Sequence, residues 1–161
     1  MIHMHSDTAA YSVPIASDGL DFQALATAFA SAGEPAAALG DHTGRIVAVI
    51  GLQRLPLRPR RLFTRLMSAA AAGLWKGKRL AADSGTNLWL SARRPAAFGA
   101  YSRRSTAAGH DHLDYDVAVN PRILRPITGD LRRLGPGTLL GRMQIRLRKR
   151  TVTLMYFTLE R

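Results

Sequence analysis

Three segments in the last third of the chain decide the fold: LDYDVAVNP (residues 113–121), RPITGDLRRLGPGTLLGRM (125–143) and TVTLMYFTL (151–159). In order they read as strand, capped helical segment, Gly-Pro-Gly break, strand, tight turn, strand. Asn120-Pro121 predicts a helical turn, with Asn as cap and Pro at the first helical position. Pro126 interrupts it, and Thr128 recaps a short helix over residues 129–134. Gly135-Pro136-Gly137 ends that helix. Residues 138–148 and 151–160 then form a hairpin across Arg148-Lys149-Arg150. In its first strand Leu139, Gly141, Met143, Ile145 and Leu147 share one face. Leu140, Arg142, Gln144, Arg146 and Arg148 share the other, which predicts one dry side and one wet side.

Working outward, residues 75–92 (WKGKRLAADSGTNLWLSA) read as a second hairpin. Its turn is Ala82-Asp83-Ser84-Gly85, with Gly85 suited to positive φ. Residues 96–104 and 111–118 are two further strands joined by Ala107-Ala108-Gly109. Residues 46–50 are apolar and β-branched between Gly44 and Gly51, a buried strand. A first helix starts at Asp18, with Leu20, Phe22, Leu25, Ala26 and Phe29 at helical spacing, and stops at Gly33 and Pro35. Pro56 and Pro59 introduce a second. Its stripe is Leu62, Phe63, Leu66, Met67 and Ala70, edged by Arg58, Arg61 and Arg65. Such a cationic amphipathic helix either places its stripe in the core, the favoured reading, or lies on an anionic membrane. The whole is α+β and mainly antiparallel β: a small barrel or strongly bent sheet with two or three short helices. It forms one domain over residues 18–161, after a flexible N-terminus, 1–17.

Composition bounds the function. The chain has 161 residues, 47% hydrophobic and 21% charged, enough for one cored domain. It contains no cysteine, which excludes disulfides, thiolate metal sites and cysteine nucleophiles. The N-terminus lacks the pattern of a signal peptide, and no apolar window is long enough to span a membrane, so a cytoplasmic location is expected. The net charge is +12, from 23 basic residues of which 20 are Arg, against 11 acidic ones. That charge attracts anions. The Arg pairs (60/61, 93/94, 103/104, 132/133) are scattered, however, and aromatics are not interleaved with them. Nucleic acid is therefore disfavoured as a partner, while a membrane surface and a homodimer are admitted.

The run Gly40-Asp41-His42-Thr43-Gly44-Arg45 resembles the G-x-W-x-G-[RK] opening of lipocalin-like proteins, with His42 at the aromatic position. WKGKRL (75–80), GTNLWL (85–90), DYDVAVNP (114–121) and LGRM (140–143) resemble, in order, elements of a family of uncharacterised bacterial calycin-type domains. The resemblance spans roughly residues 38–160. It implies a lipocalin-like barrel with a cavity for a hydrophobic small molecule, and no particular reaction.

Several side chains carry possible chemistry. On a strand, His112, Asp114 and Asp116 share a face opposite Leu113, Tyr115 and Val117. Turned outward, the carboxylates pair with Arg. Turned into a cavity, they push each other's pKa values apart and supply an acid and a base. Asp116, nearest the Asn120-Pro121 corner, is the preferred pocket group. Lys76 and Lys78 share a face opposite Trp75 and Gly77. A lysine in an apolar cavity would serve as base or electrophile, although an exposed pair is the ordinary outcome. Tyr101, Tyr115 and Tyr156 lie in strands. His110-x-His112 with Asp114, or His3-x-His5, falls short of a full ligand set, so no metal is expected. The glycine patterns of phosphate loops, dinucleotide sites and nucleophile elbows are missing.

The expectation is therefore binding, or cofactor-free isomerisation or cyclisation, of a hydrophobic small molecule. Asp116, Asp114, Lys78 and Tyr115 are the candidate catalytic residues. His42, Trp75, Trp89, Asn120, Arg142, Met143 and Tyr156 are the candidate ligand contacts. The competing expectation is a basic adaptor for nucleic acid or an anionic membrane.

Overall fold

A computed structural model describes residues 21–35, 38–51, 54, 56–72, 74–89 and 99–161. The expected flexible segment 1–17, the Asp18 start of the first helix and residues 96–98 lie outside them. The elements are α1 (Phe22–Ser31), β1 (Gly40–Val49), α2 (Leu57–Ala72), β2 (Trp75–Leu80), β3 (Ser84–Trp89), β4 (Ala100–Ser105), β5 (Asp111–Asp114), β6 (Ile127–Gly135), β7 (Thr138–Leu147) and β8 (Arg150–Glu160). The eight strands pair in chain order and β8 returns to β1, closing an antiparallel barrel. Closure leaves no free sheet edge. Among the described residues no helix is long and apolar enough to cross a membrane.

Two apolar clusters follow from strand alternation. Inside lie Leu80, Tyr101, Leu113, Tyr115, Leu131, Leu139, Phe157 and Leu159. Outside, α1 lays Leu25, Ala28 and Phe29 over Val47, Ala48, Leu140 and Tyr156. At a register shift between Ile46 and Ala48, both Val47 and Ala48 join the second cluster. Asp21 caps α1, accepting the Gln23 amide at 2.6 Å.

One end of the barrel is closed by polar groups. Arg103 donates to Asp111 Oδ2 from both Nε (2.9 Å) and Nη2 (2.5 Å). Its Nη1 donates to the Ala38 and Ala81 carbonyls, each at 2.8 Å. This buried pair is fully hydrogen-bonded, the condition under which enclosing two charges is tolerable.

Three expectations are corrected. Residues 127–135 are strand β6, not a helix. Ladders to β5 on one side and β7 on the other satisfy its backbone and outweigh local helix signals. In α2, Leu62, Phe63 and Leu66 are exposed, because buried Thr64 turns the opposite side to the barrel; the side chains of Met67 and Ala70 lie outside the described residues. Gly85 has no positive φ; it sits in β3, where a Cβ would overlap the Tyr101 ring. The β7–β8 hairpin forms, with Leu139, Gly141 and Met143 turned inward as alternation predicts. A register shift after Met143 breaks the pattern, so Leu147 is exposed, and Leu140 on the expected wet face is buried beneath α1.

Candidate functional site

The centre of the barrel holds a lysine. Alternation alone would put Lys76 and Lys78 on one face. A register shift between Trp75 and Gly77 breaks it, leaving Lys76 exposed and Lys78 fully buried. Gly77 is required there, with φ 144° and no room for a Cβ against the His42 carbonyl. The shift also turns Trp75 inward.

Lys78 Nζ donates to Asn87 Oδ1 at 2.7 Å and to the Tyr115 hydroxyl, which lies 3.3 Å from the same Asn87 oxygen. The three polar groups form a closed triangle. Around it stand the rings of Tyr101, Tyr115, Phe157 and Trp75, with centroids 5.0, 5.2, 5.4 and 5.8 Å from Nζ. Ring faces attract a cation, but far less than bulk water does. Burial accordingly lowers the Lys78 pKa from 10.5 to about 7. Burial also raises the Tyr115 and Tyr101 hydroxyls above the ordinary tyrosine value. Near neutral pH the amine is poised between its two forms while Tyr115 keeps its proton.

Three cage rings rest on glycines. A Cβ on Gly44 would overlap Trp75, one on Gly85 would overlap Tyr101, and one on Gly141 would overlap Phe157. Each ring thus packs against the backbone of the neighbouring strand in the sheet.

Between this cage and the α2 end of the barrel lies a cavity of about 270 Å³ lined by Ile46, Leu74, Trp75, Asn87, Met143, Met155 and Phe157. Asn87 is its one amide; the other lining side chains are apolar. Asn87, Trp75 and Phe157 belong both to the cavity wall and to the lysine's surroundings, so Lys78 stands directly behind the cavity's inner wall. This size lies just below the roughly 300–1,000 Å³ of typical ligand pockets.

The remaining candidates are distributed around this centre. Tyr115, Lys78, Trp75 and Met143 come together as described. Asn120 is buried behind Tyr115: its amide donates to the Tyr115 carbonyl (2.8 Å) and the Ala100 carbonyl (2.6 Å), and its Oδ1 accepts the Gly99 amide (2.8 Å). It ties the ends of β4 and β5 and positions Tyr115. His42 points inward but lines a second cavity of about 200 Å³ at the opposite end, with Arg133, Leu139 and Arg161. The backbone of Trp89 pairs with Trp75; its side chain lies outside the described residues.

Four candidates lie on the outside. Strand β5 ends at Asp114, and Asp116 beyond it is 56% exposed, 4.0 Å from Arg125. Asp114 faces outward and accepts from Arg146 at 3.2 Å. Neither carboxylate reaches the cavity, because inward positions on this stretch fall to Leu113 and Tyr115. Arg142 Nε donates outside to Asp130 Oδ2 at 2.9 Å and its guanidinium stacks over Phe29. Tyr156 packs beneath α1, edge-on to Phe22.

Asp130 was not anticipated, since it falls in the segment read as a helix. Cross-strand pairing of His112 with Asp130 brings His110, His112 and Asp130 ligand atoms within 4.8 Å of one another. Asp130 Oδ1 lies 2.7 Å from His112 Nδ1 and 3.5 Å from His110 Nε2. Geometrically the trio can hold a cation. Electrostatically, Arg142 and Arg132 stand beside it over the Phe29 ring and oppose one. Asn87 was also missed; the signal was its register opposite Lys78.

No family model and no curated protein matches the chain. A solved structure, the crystal structure of a protein from Thermomonospora curvata, is similar with a TM-score of 0.56, 20% identity and 89% of each chain covered. That likeness concerns the fold.

Proposed function

We propose that the barrel takes up a hydrophobic small molecule through the α2 end and presents its polar group to Lys78. One observation carries this reading: a fully buried amine with a pKa of about 7 stands behind the inner wall of a mainly apolar cavity, sharing Asn87, Trp75 and Phe157 with it. Burying an ammonium is costly, and a stability-optimised barrel would hold Leu or Met there. The resemblance to calycin-type domains points the same way.

The chemistry this arrangement suits is cofactor-free proton transfer. Neutral Lys78 removes a proton from a carbon beside the ligand's carbonyl. The hydroxyl of Tyr115, still protonated, donates to the oxygen on which negative charge develops. The ring faces hold the resulting ammonium, which returns its proton to a different carbon. The net reaction is an isomerisation, with no electron transferred. In this reading the acid/base role expected of Asp116 passes to Lys78, and the steadying of negative charge, expected of Lys78 or Arg142, passes to Tyr115.

The test is native mass spectrometry of the purified protein for a co-purifying small molecule, followed by turnover of that molecule by the wild type and by Lys78→Met. Retention of the ligand with loss of turnover in the variant is expected. Undiminished turnover by Lys78→Met removes the catalytic assignment. A cavity that retains no small molecule and binds no apolar fluorescent probe removes the whole reading.

A further inference from the structure

The outer side of α2 is a feature the barrel does not use. Leu62 and Leu66 are one helical turn apart and 58% and 57% exposed, with Phe63 at 48% beside them. Thr64, half a turn away, is buried and marks the side turned to the barrel. Arg58, Arg61 and Arg65 are exposed along the same helix, which carries no acidic residue. Leu74, two residues past the end of the helix, is likewise exposed and is part of the cavity wall.

We propose that α2 docks on an anionic phospholipid surface with Leu62, Phe63 and Leu66 among the acyl chains and its arginines at the phosphates. Charge selects this occupant. A second copy would bring the same basic helix against itself, against a net charge of +12 per chain. A nucleic-acid backbone would meet the arginines but leave the leucine crest in water. An anionic bilayer satisfies both, as interfacial amphipathic helices do. Docked this way, the protein turns the Leu74 side of its cavity toward the lipid, so that a hydrophobic ligand enters without crossing water; this last step rests on the cavity reading above, whereas the docking does not.

The experiment is flotation of the full chain with vesicles of phosphatidylcholine alone and with about one-quarter phosphatidylglycerol. The wild type is expected to float with the anionic vesicles and not the neutral ones. Raising the salt should weaken the interaction. Leu62→Gln/Leu66→Gln and Arg58→Ser/Arg61→Ser should each lower vesicle affinity by roughly tenfold or more. All four positions are exposed, so circular dichroism should be unchanged. Several outcomes overturn the docking: no flotation, equal flotation with neutral lipid, or a leucine variant that floats like the wild type. A dimer that dissociates in the leucine variant assigns the crest to a second copy. Salt-sensitive duplex binding that survives in the leucine variant, without flotation, assigns the arginines to nucleic acid. Lys78→Met keeps the readings apart. Flotation retained with undiminished turnover in that variant removes the catalytic reading and leaves docking standing alone. No flotation by a wild type whose cavity still binds an apolar probe removes docking alone.

Discussion

Lys78 Nζ and the Tyr115 hydroxyl are hydrogen-bonded inside the barrel although 37 positions separate them in sequence. The bond joins β2 to the residue just beyond β5, across the hollow rather than along the sheet. It couples the stability of the barrel to the protonation of one amine.

Stability should therefore rise with pH between about 7 and 10. The folded Lys78 releases its proton near 7, while the unfolded lysine keeps it until about 10.4. In that window the unfolded state binds more protons, so each pH unit adds up to about 1.4 kcal/mol to the unfolding free energy. Above about pH 10 the sign reverses. Unfolded tyrosines ionise there while buried Tyr101 and Tyr115 hold their protons. Denaturant melts at successive pH values measure this, and Lys78→Met should flatten the rise and be the more stable protein at pH 6.

Tyr115→Phe removes one partner of the amine and one of Asn87. It should destabilise by about 1–2 kcal/mol. Loss of an acceptor for the ammonium should also move the onset of the pH rise lower. Chemical denaturation across pH distinguishes this from simple loss of packing, which shifts every curve equally.

Gly141→Ala places a methyl group into the Phe157 ring. Overpacking of this kind costs about 1–3 kcal/mol. The ring must tilt toward the axis, so the variant should also bind an apolar cavity probe more weakly, as fluorescence titration would read.

Asp111→Ala leaves the Arg103 guanidinium buried without its carboxylate. A loss of about 3–5 kcal/mol is expected. Asp116→Asn, by contrast, changes an exposed group beyond the strand end and should stay within about 0.5 kcal/mol of the wild type with turnover intact.

The residues whose alternation is regular were legible in advance. Leu139, Gly141 and Met143 in β7, and Leu113 and Tyr115 around β5, point where period two sends them. Strand β6 was not legible. Its conformation depends on neighbours on both sides, its own Thr, Gly and Asp residues favour caps and turns, and its Arg residues suit a helix. The α2 stripe was visible, but periodicity reveals that a helix has an apolar side, not what covers it. The buried triangle was partly legible: Lys78 and Tyr115 stood out as chemistry, whereas Asn87 became a partner only through cross-strand register. Asp116 was overvalued because its distance past the end of β5 depends on where pairing stops.

The single extra residue in β2 has a consequence for what the protein can enclose. Were the same residues to pair in strict alternation, two ammonium groups about 7 Å apart would compete for the same dry interior. The shift admits an indole in place of one of them. The hollow would otherwise have to expel a lysine, by opening the seam between β1 and β2 or by letting in water, and would give up the solitary amine that makes it chemically distinctive.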